Sequence, residues 1–187
     1  NTDKIFLYYG NEQAPDAADV PGTYDTNQAL VYHFGAAAGA AQDATAYKTE
    51  PTAFTAEVNP ASLIGSGARF TGAQSIAVPA TGAVRLLRDK GLTISAWVRI
   101  ESDQPQAYVA QLADQGREFV LGINGTQAFV RFTDGTTPVQ SQQSAGRLTL
   151  GEWHFIAARI GDGRLTLFVD GEDAGGADVE LQEIGGS

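Results

Sequence analysis

A chain of 187 residues, 43% of them hydrophobic, is long enough to bury a real core as one sandwich of ordinary size, which excludes a disordered chain. Its 22 acidic residues against 12 basic ones give a net charge of −10, which repels a phosphate backbone and excludes nucleic acid as a natural partner. There is no cysteine, hence no disulfide, and no apolar run approaches the ~20 residues of a membrane-spanning helix.

The chain opens at Asn1 without methionine and without a basic, then apolar, leader, so it is expected to be part of a larger protein. Residues 4–9 (K-I-F-L-Y-Y) predict a strand closed by Gly10-Asn11, and residues 11–28 collect the proline, glycine, aspartate and asparagine of a loop. Residues 30–34 (L-V-Y-H-F) predict the first strand of the sandwich, residues 35–41 a helical turn weakened by its glycines, and residues 43–67 an irregular connection. Strands are then predicted at 68–70, 75–78, 92–100, 108–112, 119–123, 127–132 and 139–144, with a short helix at 85–90. Asn124-Gly125 and Asp134-Gly135 mark hairpin turns.

The strongest local signal lies at residues 151–171. Strands 153–160 and 164–169 flank Gly161-Asp162-Gly163, residues that tolerate the positive φ of a tight turn, and Asp170-Gly171 marks another. Alternation places Ile156, Ala158 and Ile160 with His154 on one face, and Leu165, Leu167 and Val169 on the matching face of the second strand. A last strand is predicted at 179–184. Many short strands with frequent turns make an all-β, jelly-roll β-sandwich.

Three strands place an arginine between apolar neighbours: V-R-I at Arg99, V-R-F at Arg131 and A-R-I at Arg159. The same alternation puts Trp97 with Arg99, Phe129 with Arg131, and Phe155 with Arg159 on outward faces, here expected to lie together. Aromatic faces beside planar cations suit a carbohydrate ligand, and arginines favour an acidic glycan. The competing reading is structural, with arginine stems covering the sheet and their heads paired to Glu101, Glu118 or Glu152. His33 and His154 both sit in apolar strands away from any G-x-S-x-G elbow, so packed or hydrogen-bonded histidines are expected rather than general bases.

W-H-F-I-A, a glycine turn and L-T-L-F-V-D-G resemble the late hairpin of laminin-G-like domains in the concanavalin A-like lectin/glucanase superfamily. G-L-T-I-S-A-W-V-R-I at 91–100, preceded by A-R-F-T-G at 68–72, matches in order and spacing. The resemblance implies a concanavalin A-like sandwich over residues 29–187, with residues 1–28 as an N-terminal strand and linker ending an upstream domain. K-I-F-L-Y-Y-G-N together with L-V-Y-H-F resembles the junction seen in MotA/TolQ/ExbB proton-channel-associated proteins, which implies a bacterial envelope setting, periplasmic or extracellular. Glucanases of this fold carry E-x-D-x-x-E, but here Gln106 replaces the last carboxylate and Pro105 is expected to break the strand, leaving a solvated turn. The family often holds calcium, which makes Asp43 the candidate ligand, with an Asx-turn as the rival account. It also continues into a closing strand beyond the element at 181–186, so residues 4–9 are expected to pair with the sandwich and cover its open edge. The expected function is a non-catalytic binding module for carbohydrate. A structural or protein-interaction domain with an envelope protein as partner stands second, a glycoside hydrolase third.

Overall fold

A computed structural model describes residues 4, 6, 9–15, 18–19, 21–35, 41–79, 81–136, 138–143 and 147–185. Its strands, in chain order, are β1 (Ala53–Phe54), β2 (Glu57–Asn59), β3 (Gly67–Arg69), β4 (Ile76–Ala77), β5 (Leu92–Arg99), β6 (Gln104–Asp114), β7 (Arg117–Gly125), β8 (Gln127–Thr133), β9 (Pro138–Gln143), β10 (Trp153–Gly161), β11 (Arg164–Val169) and β12 (Glu172–Asp178). Among the described residues the only helical element is a 3-10 turn at Pro21–Thr23.

Two antiparallel four-stranded sheets form the sandwich, one in the order β12-β11-β10-β5 and the other β6-β7-β8-β9, while β1 with β4 and β2 with β3 make two small ribbons. Across the layers β10 faces β7, β11 faces β8 and β12 faces β9. Strands β5 and β6 therefore edge the same side. The interior is made by alternate residues of each sheet, Phe119, Leu121, Val130 and Phe132 from one and Ile156, Ala158, Ile160, Leu165 and Leu167 from the other, all without solvent exposure. The expected burial of Ile156, Ala158, Leu165 and Leu167 is thus observed.

The β10–β11 hairpin turns on Asp162 and Gly163, both at positive φ, and pairs Gly161 with Arg164, which sets every later partner down to Ile156 with Val169. Pairing with β5 is equally regular, from Trp153 with Arg99 to Ile160 with Leu92.

Several expectations need correction. Residues 30–34 form no strand: Tyr32 makes one bridge to Asp43, and the Val31 N–H is taken by the Asp43 side chain. The stretch 43–67 carries β1 and β2, which find partners in β4 and β3. Residues 85–90 are not helical, because Leu86 is drawn into the core by a two-way backbone pairing with Ile184. That bridge is all that forms of the strand predicted at 179–184. The outermost strand is instead β12, E-D-A-G-G-A-D, whose composition disfavours strands; the Asp170-Gly171 turn delivers it to β11, and at Gly176 a Cβ would collide with the Leu165 carbonyl oxygen. Pro105 does not break β6: it sits inside that strand where the register slips, on a sheet edge that needs no N–H from it. Of the helical turn at 35–41, residues 36–40 lie outside the described residues. In the segment 4–9, Lys4, Phe6 and Tyr9 are in no strand, and Ile5, Leu7 and Tyr8 lie outside the described residues.

Candidate binding face

The outer face of the β12-β11-β10-β5 sheet is set by register. With Ile156, Ala158 and Ile160 inward, Trp153, Phe155, Ala157 and Arg159 of β10 point outward, beside Arg99, Trp97, Ser95 and Thr93 of β5. Phe155 stands directly opposite Trp97, with ring centroids 5.5 Å apart and planes tilted by 56°. Trp97 is 54% exposed, large for the least polar part of a sheet face, whereas Trp153, Phe155 and Phe168 are half-buried and floor the patch around Ala157. Of the expected set, Trp97, Arg99, Phe155 and Arg159 are therefore brought together. Trp153 and Phe168 also belong to the face, and alternation from the same hairpin places them there.

Each arginine at the rim is held by a carboxylate. Arg99 Nε lies 3.0 Å from Glu101, Arg159 2.5 Å from Asp162, and Arg164 3.3 Å from Asp178. Exposed pairs of this kind are worth ~0–1 kcal/mol, so they shape the rim more than they stabilise it. Glu101 is thus engaged with Arg99 at an exposed bend, and the sequence 101–106 supplies no facing pair of carboxylates.

Arg131 lies elsewhere. It belongs to β8 and projects from the outer face of the opposite sheet, so the expectation that the three arginines share one face does not hold. Alternation fixes which way a side chain points but not which sheet its strand joins. There Arg131 donates to Glu118 at 2.7 Å and to the Tyr108 hydroxyl at 2.6 Å, lies over the Tyr108 ring at 5.3 Å, and Gln111 donates to Glu118 at 2.6 Å. Phe129 shares that face but is only 3% exposed, its ring lying over Gly122 and edge-on to Tyr108.

Asp43 is buried and fully engaged. Oδ1 accepts the N–H groups of Val31 and Thr45, and Oδ2 accepts the Thr45 hydroxyl and the Thr49 N–H, all within 3.1 Å. Burial opposes its charge, but the donors of Thr45, Thr49 and Val31 outweigh burial and hold the carboxyl below its ordinary value. The same neighbourhood pushes the Tyr32 phenol up to about 12, through burial first and then the charges of Asp43 and Glu50. Both carboxylate oxygens point at donors, the wrong partners for a cation, so Asp43 does not fit a calcium ligand and organises the loop of residues 31–49 instead. Among the described residues no group of three or more metal-ligating side chains gathers elsewhere.

The histidines are likewise committed. His33 Nε2 meets the Tyr24 hydroxyl at 2.7 Å. His154 Nε2 accepts the Thr149 N–H at 2.9 Å, which places its proton on Nδ1, 2.7 Å from Asp170 Oδ2. This carboxylate–imidazole pair lacks a nucleophile: a backbone amide occupies the position where a hydroxyl would have to sit.

The Laminin_G_3 family of the concanavalin A-like lectin/glucanases superfamily matches residues 70–186. Among solved structures, the binding domain of Paraclostridial Mosquitocidal Protein 1 superposes over 87% of this chain with a TM-score of 0.68 at 14% identity, and the chain spans 43% of that structure. Domains LG4-5 of the mouse laminin alpha1 chain give a TM-score of 0.44 at 17% identity over 50% of this chain and 25% of theirs. A heptameric SAP-like pentraxin of Limulus polyphemus gives 0.42 at 13% identity over 54% of this chain and 53% of its own. No curated protein sequence matches the chain. With more than half its length covered, the chain belongs to the Laminin_G_3 family of the concanavalin A-like lectin/glucanases superfamily.

Proposed function

We propose that this chain is a non-catalytic binding module whose ligand is a carbohydrate seated on the outer face of the β12-β11-β10-β5 sheet. The observation that carries this reading is Trp97, exposed on a rigid strand and braced by Phe155 in register beside it. A pyranose has an apolar C–H face that lies against the negative face of an aromatic ring, and Ser95 and Thr93 on the same strand offer hydroxyls to its edges. Because the rim arginines are each matched by a carboxylate, the face suits a neutral glycan better than an acidic one. Membership of a superfamily that includes lectins supports the reading at the level of fold. An exported glycan binder meets its ligand outside the cytoplasm, so a periplasmic or extracellular setting, as part of a larger envelope protein, goes with this proposal.

A glycan array followed by calorimetry on the strongest hits tests it. Binding of a neutral glycan that is lost in Trp97→Ala supports the reading. An array without hits, or hits that Trp97→Ala retains, contradicts it.

A further inference from the structure

The stretch from residue 52 to residue 77 belongs to neither sheet of the sandwich and folds on itself. Strand β1 pairs with β4 and, nested inside them, β2 pairs with β3, so the two ribbons are parts of one hairpin arm. The Thr52 N–H donates to the Ala77 carbonyl and the Thr55 N–H to the Ser75 carbonyl, which extends the outer ribbon at both ends. Residues 71–74 bulge from the returning strand and are closed by two hydrogen bonds between Thr71 and Gln74. A two-stranded ribbon is only marginally stable in water, so such an arm gains from a surface to lie against.

The tip carries aliphatic side chains into solvent: beyond the last rung, Asn59 with Gly67, Ile64 is 87% exposed and Leu63 41%. No residue from 58 to 68 is charged, in a chain of which 18% is. The backbone there is partly closed on itself. The Ser62 N–H donates to the Gly65 carbonyl at 2.8 Å and the Ala61 N–H to Asn59 Oδ1 at 3.2 Å, which lowers the cost of taking the loop out of water. The first charges met along the arm are Glu57 and Arg69, exposed, directly opposite each other and of opposite sign. Phe70, also exposed, adjoins them. From that pair the ladder rises ~7 Å to Asn59 and Gly67 and the loop adds to it, which matches the ~5–10 Å that an interfacial segment sinks into a bilayer.

A pocket on another protein is the rival occupant, but such pockets favour tryptophan, tyrosine and arginine anchors, and residues 58–68 contain none of the three. Lipid chains accept aliphatic groups of any shape. The net charge of −10 opposes attraction to an anionic bilayer. We propose that the arm at residues 52–77 docks on a zwitterionic phospholipid surface, with Leu63 and Ile64 among the acyl chains and Glu57, Arg69 and Phe70 at the level of the headgroups. The inference is independent of the glycan face.

The chain has no cysteine, so Ala61→Cys, at an exposed position of the tip, gives a single attachment point for an environment-sensitive dye. On phosphatidylcholine vesicles the dye should brighten, shift to the blue and be quenched by lipids brominated on their acyl chains. Admixture of phosphatidylglycerol should weaken the binding. In the double variant Leu63→Ser/Ile64→Ser the partition should fall at least about tenfold, with the melting midpoint kept because both side chains are exposed. A dye that stays in water at millimolar lipid overturns the proposal, whether or not a protein then captures the arm. Equal partition of the parent and the folded double variant overturns it as well.

Discussion

Asp170 fastens His154 across the end of the β10–β11 hairpin: Oδ2 lies 2.7 Å from Nδ1, and Oδ1 accepts the Phe155 N–H at 2.9 Å. The same residue turns the chain at positive φ into β12 and donates its own N–H to the Phe155 carbonyl. The W-H and V-D-G motifs are thus two halves of one structural latch. It is this latch that holds Phe155, and through it Trp97, at a fixed height on the outer face.

Asp170→Asn keeps the left-handed turn, which asparagine tolerates, but removes the charge that faces His154. The expected loss is about 1–2 kcal/mol in urea denaturation. The His154 hydrogen bond, ahead of the Phe155 N–H, holds the Asp170 carboxyl below its ordinary value. A depressed folded value means stability that is fully present above the unfolded value of about 4 and lost as pH falls through the folded one. The variant should therefore have a flatter stability profile below pH 4 than the parent. Nitrogen NMR of the parent at neutral pH should show the His154 proton on Nδ1.

Asp43→Asn replaces an acceptor of four donors by a group that presents N–H to N–H. A loss of about 2–4 kcal/mol is expected, larger than at Asp170 because Asp43 is buried. Its carboxyl too is depressed, so the parent loses this contribution on acidification while the variant does not. Millimolar calcium should leave the parent's melting midpoint unchanged; a rise in midpoint that Asp43→Asn abolishes would show that the carboxylate turns to a cation after all.

Gly122→Ala should be among the costliest single-methyl additions. A Cβ there would sit 2.5 Å from Phe129 Cζ and 2.7 Å from the Ala107 carbonyl oxygen, and the second of these is backbone and cannot step aside. A loss of about 2–3 kcal/mol is expected from thermal or chemical unfolding. A neutral result would mean that β6 is free to move away from β7.

How far the sequence carries depends on whether a feature is local. The β10–β11 hairpin is legible because Asp162-Gly163 sets a register and the alternation of Ile156, Ala158, Leu165 and Leu167 leaves one choice of inward face. Phe168 and Trp153 follow from that same alternation. What alternation does not contain is sheet membership, so Arg131 reads like Arg99 and Arg159 although it stands on the opposite surface. Strand β12 is hidden for the opposite reason: E-D-A-G-G-A-D has no strand character of its own, and pairing with β11 makes it one. The segments at 30–34 and 85–90 mislead because single residues claim them for other contacts, the Asp43 carboxylate by taking the Val31 N–H and Leu86 by its backbone pairing with Ile184.

The central claim rests on one ring. On the glycan giving the strongest array signal, calorimetry of Trp97→Ala against the parent is the most direct measurement, with unfolding followed in parallel. Trp97 is 54% exposed and stabilises little by burial, so the variant should keep its midpoint within a few degrees. Its affinity should fall at least about tenfold, the equivalent of about 1.4 kcal/mol, which lies within the range of a lost aromatic contact. An affinity unchanged in a folded Trp97→Ala variant would contradict the account.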